Sequence, residues 1–504
     1  MQRRDFLASA TAVATFGGLT PLAAQSNPSL LEVAQQLAAS PYVVPKSELP
    51  PPFAGLDYDA YRGIRPVAGR AAMRPHGADF AVDLLPPGLF FPDPVRIDRD
   101  AGTGPKEVPF ALDLFSFQDR YFDTLPDEAP GAGFSGLRLR YPLNALDRMD
   151  EVLVVQGASY FRAIGQAMVY GLSARAVAIG TGGAGPEEFP RFTHLRLHAP
   201  QNGTVRLEAV IDSPSLAGHL DMTVRPGADT MMDLSVTLMP RVEIADIGVA
   251  PLTSMYLKGP LRASVSDDFR PRVHDSDLLV IENGAGERIW RPISNPARLE
   301  TSAFVDNNPV SFGLFQTGRA FSDFEDTEAR YHDRPNAIVR PRGTWGPGAV
   351  VLVEIPTGDE FMDNIVAFWR PEAALTPGSA HRFDYRLNWT VSPPGESAGA
   401  DTIARILQSR SGREHDRPGT RRYVIDITGE AAGRVPEITA QGPAEISGVS
   451  LFDLPDQGGT RVTFLVTPEN TDAVDLRLVV RNQPTGQSDA VWLHRWTRAR
   501  DGGV

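Results

Sequence analysis

Acidic side chains between residues 319 and 369 alternate with aromatic and arginine side chains. In a sugar-binding cleft, flat rings stack on pyranose faces while carboxylates and guanidinium groups bind hydroxyls, and glycosidic cleavage uses two carboxyl groups. The sequence therefore indicates a carbohydrate site, and charges solvated in surface loops are the alternative. The side chains concerned are Asp323, Glu325, Asp326, Glu354, Asp359, Glu360 and Asp363, with Phe321, Phe324, Tyr331, Trp345, Phe361, Phe368, Trp369, Arg319, Arg330 and Arg334.

Two other motifs contain residue types that bind ligands. In the sequence HDSD at 274–277, an extended backbone would direct Asp275 and Asp277 to one face, as a hard-cation site would need. No second His/Asp cluster at ligand spacing accompanies them. The sequence GTGGAG at 180–185 is not followed by the Lys-Ser/Thr pair of a phosphate-binding loop, so we interpret it as a plain loop. We predict no metal or other cofactor.

Charge and composition exclude several partners and chemistries. The chain has 504 residues and a formal net charge of −13, and an acidic surface repels the phosphate backbone of nucleic acids. Cysteine is absent, which excludes disulfides, thiolate metal sites and a cysteine nucleophile. The length exceeds the ~250–300 residues at which one core stops growing, so we predict two domains.

The first residues have the pattern of an export signal. Arg3 and Arg4 form a twin-arginine pair, the apolar run 8–22 follows, and small residues precede a cleavage site before Gln25. We predict that residues 1–24 are a twin-arginine signal peptide and that the mature protein is periplasmic. No later stretch contains 18 consecutive apolar residues, so we expect no stable membrane insertion after cleavage.

Hydrophobic patterning along the rest of the chain favours β-structure. The sequence SLLE at 29–32 predicts a capping box that opens a short helix. Short apolar or alternating runs bounded by turn residues follow, including a hairpin with a tight turn at Asn283-Gly284. A linker is predicted at 392–400. The expected fold is all-β, with a large antiparallel sandwich at 25–392 and an immunoglobulin-like sandwich at 400–504.

Ten short motifs, in order along the chain, resemble those of the periplasmic glucan biosynthesis proteins G and D. The twin-arginine signal and the sequence YRLNWTVSPP at 385–394 are more similar to the D branch. The ten motifs are FSFQDRYF (115–122), GASYFRA (157–163), YGLSAR (170–175), EFPRF (188–192), LTSM (252–255), HDSD (274–277), WRP (290–292), FGL (312–314), VEIP (353–356) and DNIV (363–366).

The resemblance implies both a fold and a role. The large domain is expected to be a galactose-mutarotase-like β-sandwich, followed by the immunoglobulin-like domain. The role would be to shape the backbone of osmoregulated periplasmic glucans, which are β-1,2-linked glucose chains. Members of the family are similar to inverting endo-β-1,2-glucanases, whereas some relatives cyclise the chain through an α-1,6 linkage. A third alternative is a non-catalytic glucan-binding partner of the membrane glucan synthase.

The resemblance also assigns roles to individual residues. Asp363, which opens DNIV, corresponds to the general acid, and Asp275 in HDSD corresponds to a base that acts through a relay of water and substrate hydroxyl. Tyr331, Arg334 and Glu360 correspond to substrate-binding positions in the cleft.

To remain protonated near neutral pH, a general acid of this type needs a raised pKa. We expect apolar neighbours to desolvate Asp363. We also expect the carboxylate of Glu360 to add a like charge beside it. Phe361 and Met362 stand where relatives more often have polar residues, which affects the expected substrate preference. The apolar neighbours expected from the sequence are Phe361, Met362, Ile365 and Phe368.

Overall fold

The computed structural model of this chain describes residues 28–45, 48–262, 267–393, 404–455 and 458–502. The predicted signal peptide at 1–24 and most of the predicted linker at 392–400 lie outside these residues. In the part of the chain that the structure describes, no helix is long and apolar enough to cross a membrane.

Helices are short and few among the described residues, whereas strands dominate. The α-helices are α1 (Leu30–Ala38), α2 (Tyr58–Arg62), α3 (Phe321–Phe324) and α4 (Arg498–Asp501), and 3-10 turns occupy Leu112–Leu114 and Tyr331–Asp333. The strands up to residue 390 are β1 (Ile64–Pro66), β2 (Arg74–His76), β3 (Phe80–Leu85), β4 (Arg96–Asp100), β5 (Pro105–Glu107), β6 (Phe115–Phe117), β7 (Gly136–Ala145), β8 (Arg148–Gln156), β9 (Tyr160–Ala163), β10 (Ser173–Arg175), β11 (Val177–Ile179), β12 (Arg191–Leu197), β13 (Val205–Asp212), β14 (Leu216–Arg225), β15 (Thr230–Pro240), β16 (Ile247–Ser254), β17 (Tyr256–Lys258), β18 (Val273–His274), β19 (Leu278–Glu282), β20 (Arg288–Pro292), β21 (Glu300–Asn307), β22 (Ser311–Phe315), β23 (Asn336–Arg342), β24 (Pro347–Glu354), β25 (Ile365–Pro371) and β26 (His381–Thr390). The later strands are β27 (Ile406–Arg413), β28 (Arg421–Thr428), β29 (Arg434–Gln441), β30 (Ala444–Leu454), β31 (Gly459–Pro468), β32 (Ala473–Asn482) and β33 (Ser488–Thr497).

Two large sheets form the body of the molecule. One runs β2-β3-β7-β8-β9-β10-β16-β25-β24-β21, with β11 also paired to β16, and the other runs β29-β32-β33-β20-β19-β22-β23-β26-β15-β14-β13-β12-β4-β5. Neighbouring strands are antiparallel except for the pairs β4–β12 and β20–β33. The all-β, antiparallel sandwich predicted from the sequence is confirmed.

The main core lies between these sheets, because each contributes its apolar face to one continuous cluster. Leu139, Val155 and Trp369 come from the first sheet, and Leu220 and Leu387 come from the second. Burial of this much apolar surface is the dominant favourable term in folding such a sandwich. The shared core therefore holds the strands of the two sheets in fixed relative positions. The ends of the loops that connect these strands are held in the same way.

Strands β27 to β33 form a second two-layer sandwich. β27, β28, β31 and β30 make a separate four-stranded sheet, while β29, β32 and β33 extend the second large sheet through β20. A second core cluster joins Tyr423 and Trp492 of this sandwich to Val280 and Trp290 of the preceding region. The two sandwiches therefore share a sheet and a core cluster, and the independent folding of 400–504 stays a prediction.

Two local predictions had different outcomes. The capping box is confirmed, because the Ser29 hydroxyl accepts from the Glu32 N–H (3.2 Å) and the Glu32 carboxylate accepts from the Ser29 N–H (2.9 Å). The β19–β20 hairpin is also present, but the prediction of a tight turn at Asn283-Gly284 was wrong. The loop closes with Asn283 N–H donating to the Glu287 carbonyl, and the positive φ of 87° occurs at Gly286.

Truncating Trp290 should destabilise the junction between the sandwiches. The side chain is 0% exposed in the second core cluster, so Trp290→Ala should lower the free energy of unfolding by about 3–5 kcal/mol in urea denaturation. Phe452→Ala, which truncates an aromatic side chain that is 47% exposed, is the matched control and should change it by about 0.5 kcal/mol or less. Equal effects of the two substitutions would contradict the role of this cluster.

Candidate active site

The loop between β24 and β25 carries two of the predicted site residues, Glu360 and Asp363. Its base is closed by the Ile355 N–H, which donates to the Asn364 carbonyl at 2.8 Å. The buried Asn364 amide donates to the carbonyls of Ile355 (2.9 Å) and Tyr256 (3.1 Å) and accepts from the Tyr256 N–H (2.8 Å). Asn364, the residue after Asp363, therefore fixes the backbone at the end of the loop next to the acid.

Asp363 is recessed among protein atoms, although 34% of its side chain remains exposed. Desolvation raises the pKa of its carboxyl above the ordinary value, and the nearby carboxylate of Asp275 raises it further. The guanidinium groups of Arg162, Arg175 and Arg334 oppose this rise without cancelling it. A raised pKa favours the protonated form of this carboxyl group, which is the form that a proton donor needs.

Strand β9 presents Arg162 to Asp363. In β9, Tyr160 and Arg162 are partly exposed while Phe161 and Ala163 are buried, the alternation expected of a strand. The Nη2 of Arg162 lies 3.6 Å from a carboxylate oxygen of Asp363, and its Nε donates to Ser173 Oγ of β10 at 2.5 Å. Sequence analysis did not select these residues, although period-two alternation within GASYFRA would have put Tyr160 and Arg162 on one face.

Asp275 lies directly after β18 and is 3% exposed. Its N–H donates to the Met255 carbonyl at 2.8 Å, and its carboxylate forms an ion pair with Arg334. The Arg334 guanidinium stacks over the Tyr331 ring at 4.2 Å from the centroid and donates from Nε to the Ala329 carbonyl at 3.1 Å. The structure thus brings Asp275, Tyr331 and Arg334 together.

Glu360 occupies a different electrostatic setting from Asp363. Burial would raise its pKa, but hydrogen bonds from Arg270 (2.8 Å) and from the Tyr331 hydroxyl outweigh burial and hold the pKa below its ordinary value. Arg270 also pairs with Asp326 at 2.8 Å. Glu360 is therefore suited to accept hydrogen bonds and orient Tyr331, whereas Asp363 can hold a proton.

Desolvation and a like charge raise the pKa of Asp363, as expected, but the like charge comes from a different residue. Phe361 is 92% exposed and so does not desolvate the acid. Ile365 and Phe368 are buried strand residues, and Phe368 packs in a cluster with Val351 and Val366. The like charge comes from Asp275, whereas Glu360 is occupied by Arg270 and Tyr331. The predicted contribution of Phe361 to desolvation and the predicted role of Glu360 as like charge were therefore wrong, and the rest of the predicted apolar wall stays a prediction.

In the described part of the chain, the two carboxylates of HDSD have different partners. Asp275 pairs with Arg334, while Asp277 accepts from the Thr317 N–H at 2.8 Å. Among the described residues, no group of three or more His, Asp or Glu side chains is arranged to hold a metal ion. His274 is buried and stacked against Tyr256, at 5.5 Å between ring centroids.

A cavity of about 470 Å³ adjoins the site along β8 and β9. Its lining includes Phe90, Phe91, Tyr160, Arg162 and Tyr170, so Arg162 both lines the cavity and lies beside Asp363. Aromatic walls with a few charged groups are typical of sites that bind organic ligands.

Asp363→Asn should stabilise the protein at neutral pH. Because the folded state raises the pKa of this carboxyl, wild-type stability falls as pH rises through that pKa, whereas an amide has no proton to lose. The gain in melting temperature should be largest above the folded pKa and should vanish below the unfolded pKa of about 3.9. A lower melting temperature of the variant at neutral pH would mean that the Arg162 contact outweighs desolvation.

Comparison with known proteins gives consistent matches along nearly the whole chain. Residues 26–496 match the family described as periplasmic glucan biosynthesis protein, MdoG. Proteins named Glucans biosynthesis protein G are similar in Vibrio cholerae serotype O1 (41% identity, covering 94% of this chain and 86% of that protein), Rhodopseudomonas palustris (40%, covering 99% and 100%) and Shewanella frigidimarina (39%, covering 93% and 84%).

One solved structure, a polysaccharide lyase, aligns with this chain at 11% identity and a TM-score of 0.19. The alignment covers 72% of this chain and 44% of the lyase chain, and a TM-score this low supports no argument. The comparisons do not separate the G and D branches, so the D-branch assignment stays a prediction. The family match over 26–496 and the identities of about 40% nevertheless agree with each other and with the ten motifs. This chain belongs to the family of periplasmic glucan biosynthesis proteins, MdoG.

Proposed function

We propose that this protein hydrolyses β-1,2-linked glucan in the periplasm with inversion of configuration, using Asp363 as general acid and Asp275 as base. The observation that carries this proposal is that two carboxyl groups, close enough for the charge of one to act on the other, have different surroundings. Asp363 is desolvated and has a raised pKa, while Asp275 is buried against the guanidinium of Arg334. Carboxyl groups in contrasting environments are the usual basis of acid and base roles in glycosidases.

Protonation of the glycosidic oxygen is the step that Asp363 would perform. A sugar alkoxide is a poor leaving group, so the bond breaks only as the oxygen receives a proton. The 34% exposure of the Asp363 side chain leaves it accessible to a bound substrate. Arg162, at 3.6 Å, would stabilise the carboxylate that remains after the proton has left.

Asp275 would collect the proton of the attacking water. Because its side chain is 4% exposed, direct contact with that water is restricted, which supports the relay through water and a substrate hydroxyl that the family resemblance implies. Arg334, stacked on Tyr331, would hold the Asp275 carboxylate in one orientation. Tyr331, Arg334 and Glu360 would line the sugar-binding cleft.

Exposed aromatic rings beside the site support a carbohydrate substrate. Phe361 is 92% exposed next to Glu360, Phe269 is 78% exposed next to Arg270, and Phe321 is 48% exposed and packs on His332. Exposed rings of this kind offer stacking surfaces for pyranose faces, whereas a solitary exposed ring is otherwise an ordinary surface feature. The membrane glucan synthase would be the source of the chain, and the twin-arginine signal would bring the folded protein to the same compartment.

Incubation with linear β-1,2-glucan should yield shorter linear chains whose fresh reducing ends are α-anomers by NMR. Asp363→Asn should lower turnover by roughly 10²–10⁴ while glucan binding persists, because an amide cannot donate the proton. Asp359→Asn, an exposed acid on the same loop, is the matched control and should keep wild-type turnover. Products that lack the mass of one water would indicate the cyclising reaction. Tight binding without turnover, unchanged in Asp363→Asn, would indicate a non-catalytic glucan-binding protein.

Replacing the proposed base, Asp275, should abolish hydrolysis independently of the change at Asp363. Asp275→Asn is nearly isosteric, so substrate binding should persist, but the amide cannot accept a proton and hydrolysis should be abolished in the same assay. Circular dichroism checks that the variant is folded, since the substitution leaves Arg334 without its carboxylate. Activity within a few-fold of wild type would assign the base to another acid, of which Asp277 is the nearest in sequence.

A further inference from the structure

A group of buried polar side chains lies beneath the loop that carries Glu360 and Asp363. Glu354, the last residue of β24, is 0% exposed. Its carboxylate accepts from the Ser294 N–H (2.7 Å), from the Ser294 hydroxyl (2.9 Å) and from the Arg291 Nη2 (2.9 Å). A buried carboxylate with three donors is held in one position, because loss of any donor leaves an unsatisfied charge.

The C-terminal helix supplies a fourth member of this group. Arg500 in α4 is 4% exposed, and its Nη1 donates to the Ser294 hydroxyl at 2.7 Å. Its Nε and Nη2 donate to the Asp501 carboxylate at 3.0 and 2.8 Å. The guanidinium therefore spans from the second sandwich to Ser294 in the first, with both ends hydrogen-bonded.

Ser294 is adjacent to a residue that holds the loop directly. The Asn295 amide accepts from the Thr357 N–H at 3.0 Å and donates to the Thr357 carbonyl at 2.9 Å. Thr357 belongs to the first half of the loop, and Asn364 closes the opposite end. The pair Ser294-Asn295 thus connects Arg500 to the backbone from which Glu360 and Asp363 project.

We infer that Arg500 is a positioning residue for the active site: it fixes Ser294-Asn295 from the second sandwich and so sets the loop 355–364 that carries Glu360 and Asp363. This inference rests on the proposed function for its effect on catalysis, while the effect on the loop is independent of it. Displacement of a general acid by about 1 Å can cost 10²-fold in rate, so a contact at a distance from the chemistry can affect turnover.

The test uses Arg500→Met, Arg500→Lys and Ser294→Ala in the full chain. Arg500→Met removes the guanidinium and keeps its apolar length, whereas Ser294→Ala breaks the same link from the other side with little change of volume. Arg498→Met is the matched control, because Arg498 lies in the same helix but is exposed and bonded to Thr471 and Asp472.

Two readouts distinguish positioning from a merely structural role. Turnover of linear β-1,2-glucan should fall roughly 10- to 100-fold in Arg500→Met and Ser294→Ala, with KM changed less than about threefold and with partial rescue by Arg500→Lys. Hydrogen exchange of the Thr357 amide should accelerate in both variants, while the amide of Val491 in β33 keeps its protection. The double variant should lose no more turnover than the larger single loss, since both substitutions break one connection.

Arg498→Met should resemble wild type in both readouts. If Arg500→Met is folded and keeps wild-type turnover and wild-type exchange at Thr357, Arg500 does not position the loop. If Arg500→Met does not fold, Ser294→Ala decides the question alone. If the wild-type protein cleaves no glucan, the proposed function fails, and exchange at Thr357 still determines whether Arg500 positions the loop.

Discussion

A desolvated carboxyl group close to a second carboxylate is electrostatically unfavourable, and the surroundings of Asp363 are organised around that constraint. The negative charge of Asp275 is offset by an ion pair with Arg334. Asp363 lies 3.6 Å from Arg162, and desolvation outweighs this and the other nearby guanidinium groups, so its pKa is raised. Desolvation and the charge of Asp275 thus raise the pKa of Asp363, while the Asp275 carboxylate itself is paired with a guanidinium group.

The sandwich supplies the rigidity that this arrangement needs. Strands β9, β10, β16 and β25 are consecutive neighbours in one sheet, so Arg162 and the loop bearing Asp363 are fixed to the same hydrogen-bonded surface. Asp275 approaches from the β17–β18 pair and is tied to Met255. Side chains on strands and on loops closed by buried amides are held more accurately than side chains on free loops.

Glu360 and Asp363 illustrate how partners decide the chemistry of one residue type. They lie three positions apart on one loop, yet Glu360 accepts from Arg270 and Tyr331 and has a lowered pKa, whereas desolvation raises the pKa of Asp363. The same loop rests on the buried contacts of Glu354, Ser294 and Asn295. The loop therefore carries, three positions apart, one carboxylate engaged in hydrogen bonds and one carboxyl group with a raised pKa.

Local sequence determined the elements, because strand alternation, turn residues and the capping box at Ser29 depend on near neighbours. It also determined the family and the two candidate carboxyl groups, since HDSD and DNIV are short contiguous motifs. Only the tertiary structure decided which groups surround Asp363, since Asp275 and Arg162 are distant in sequence and meet through sheet order. The exposure of individual side chains could not be predicted from the sequence either. Phe361 and Phe368 are the same residue type, but Phe361 is 92% exposed and Phe368 is 1% exposed. Strand pairing and packing decide that difference, and both depend on contacts between residues far apart in the chain.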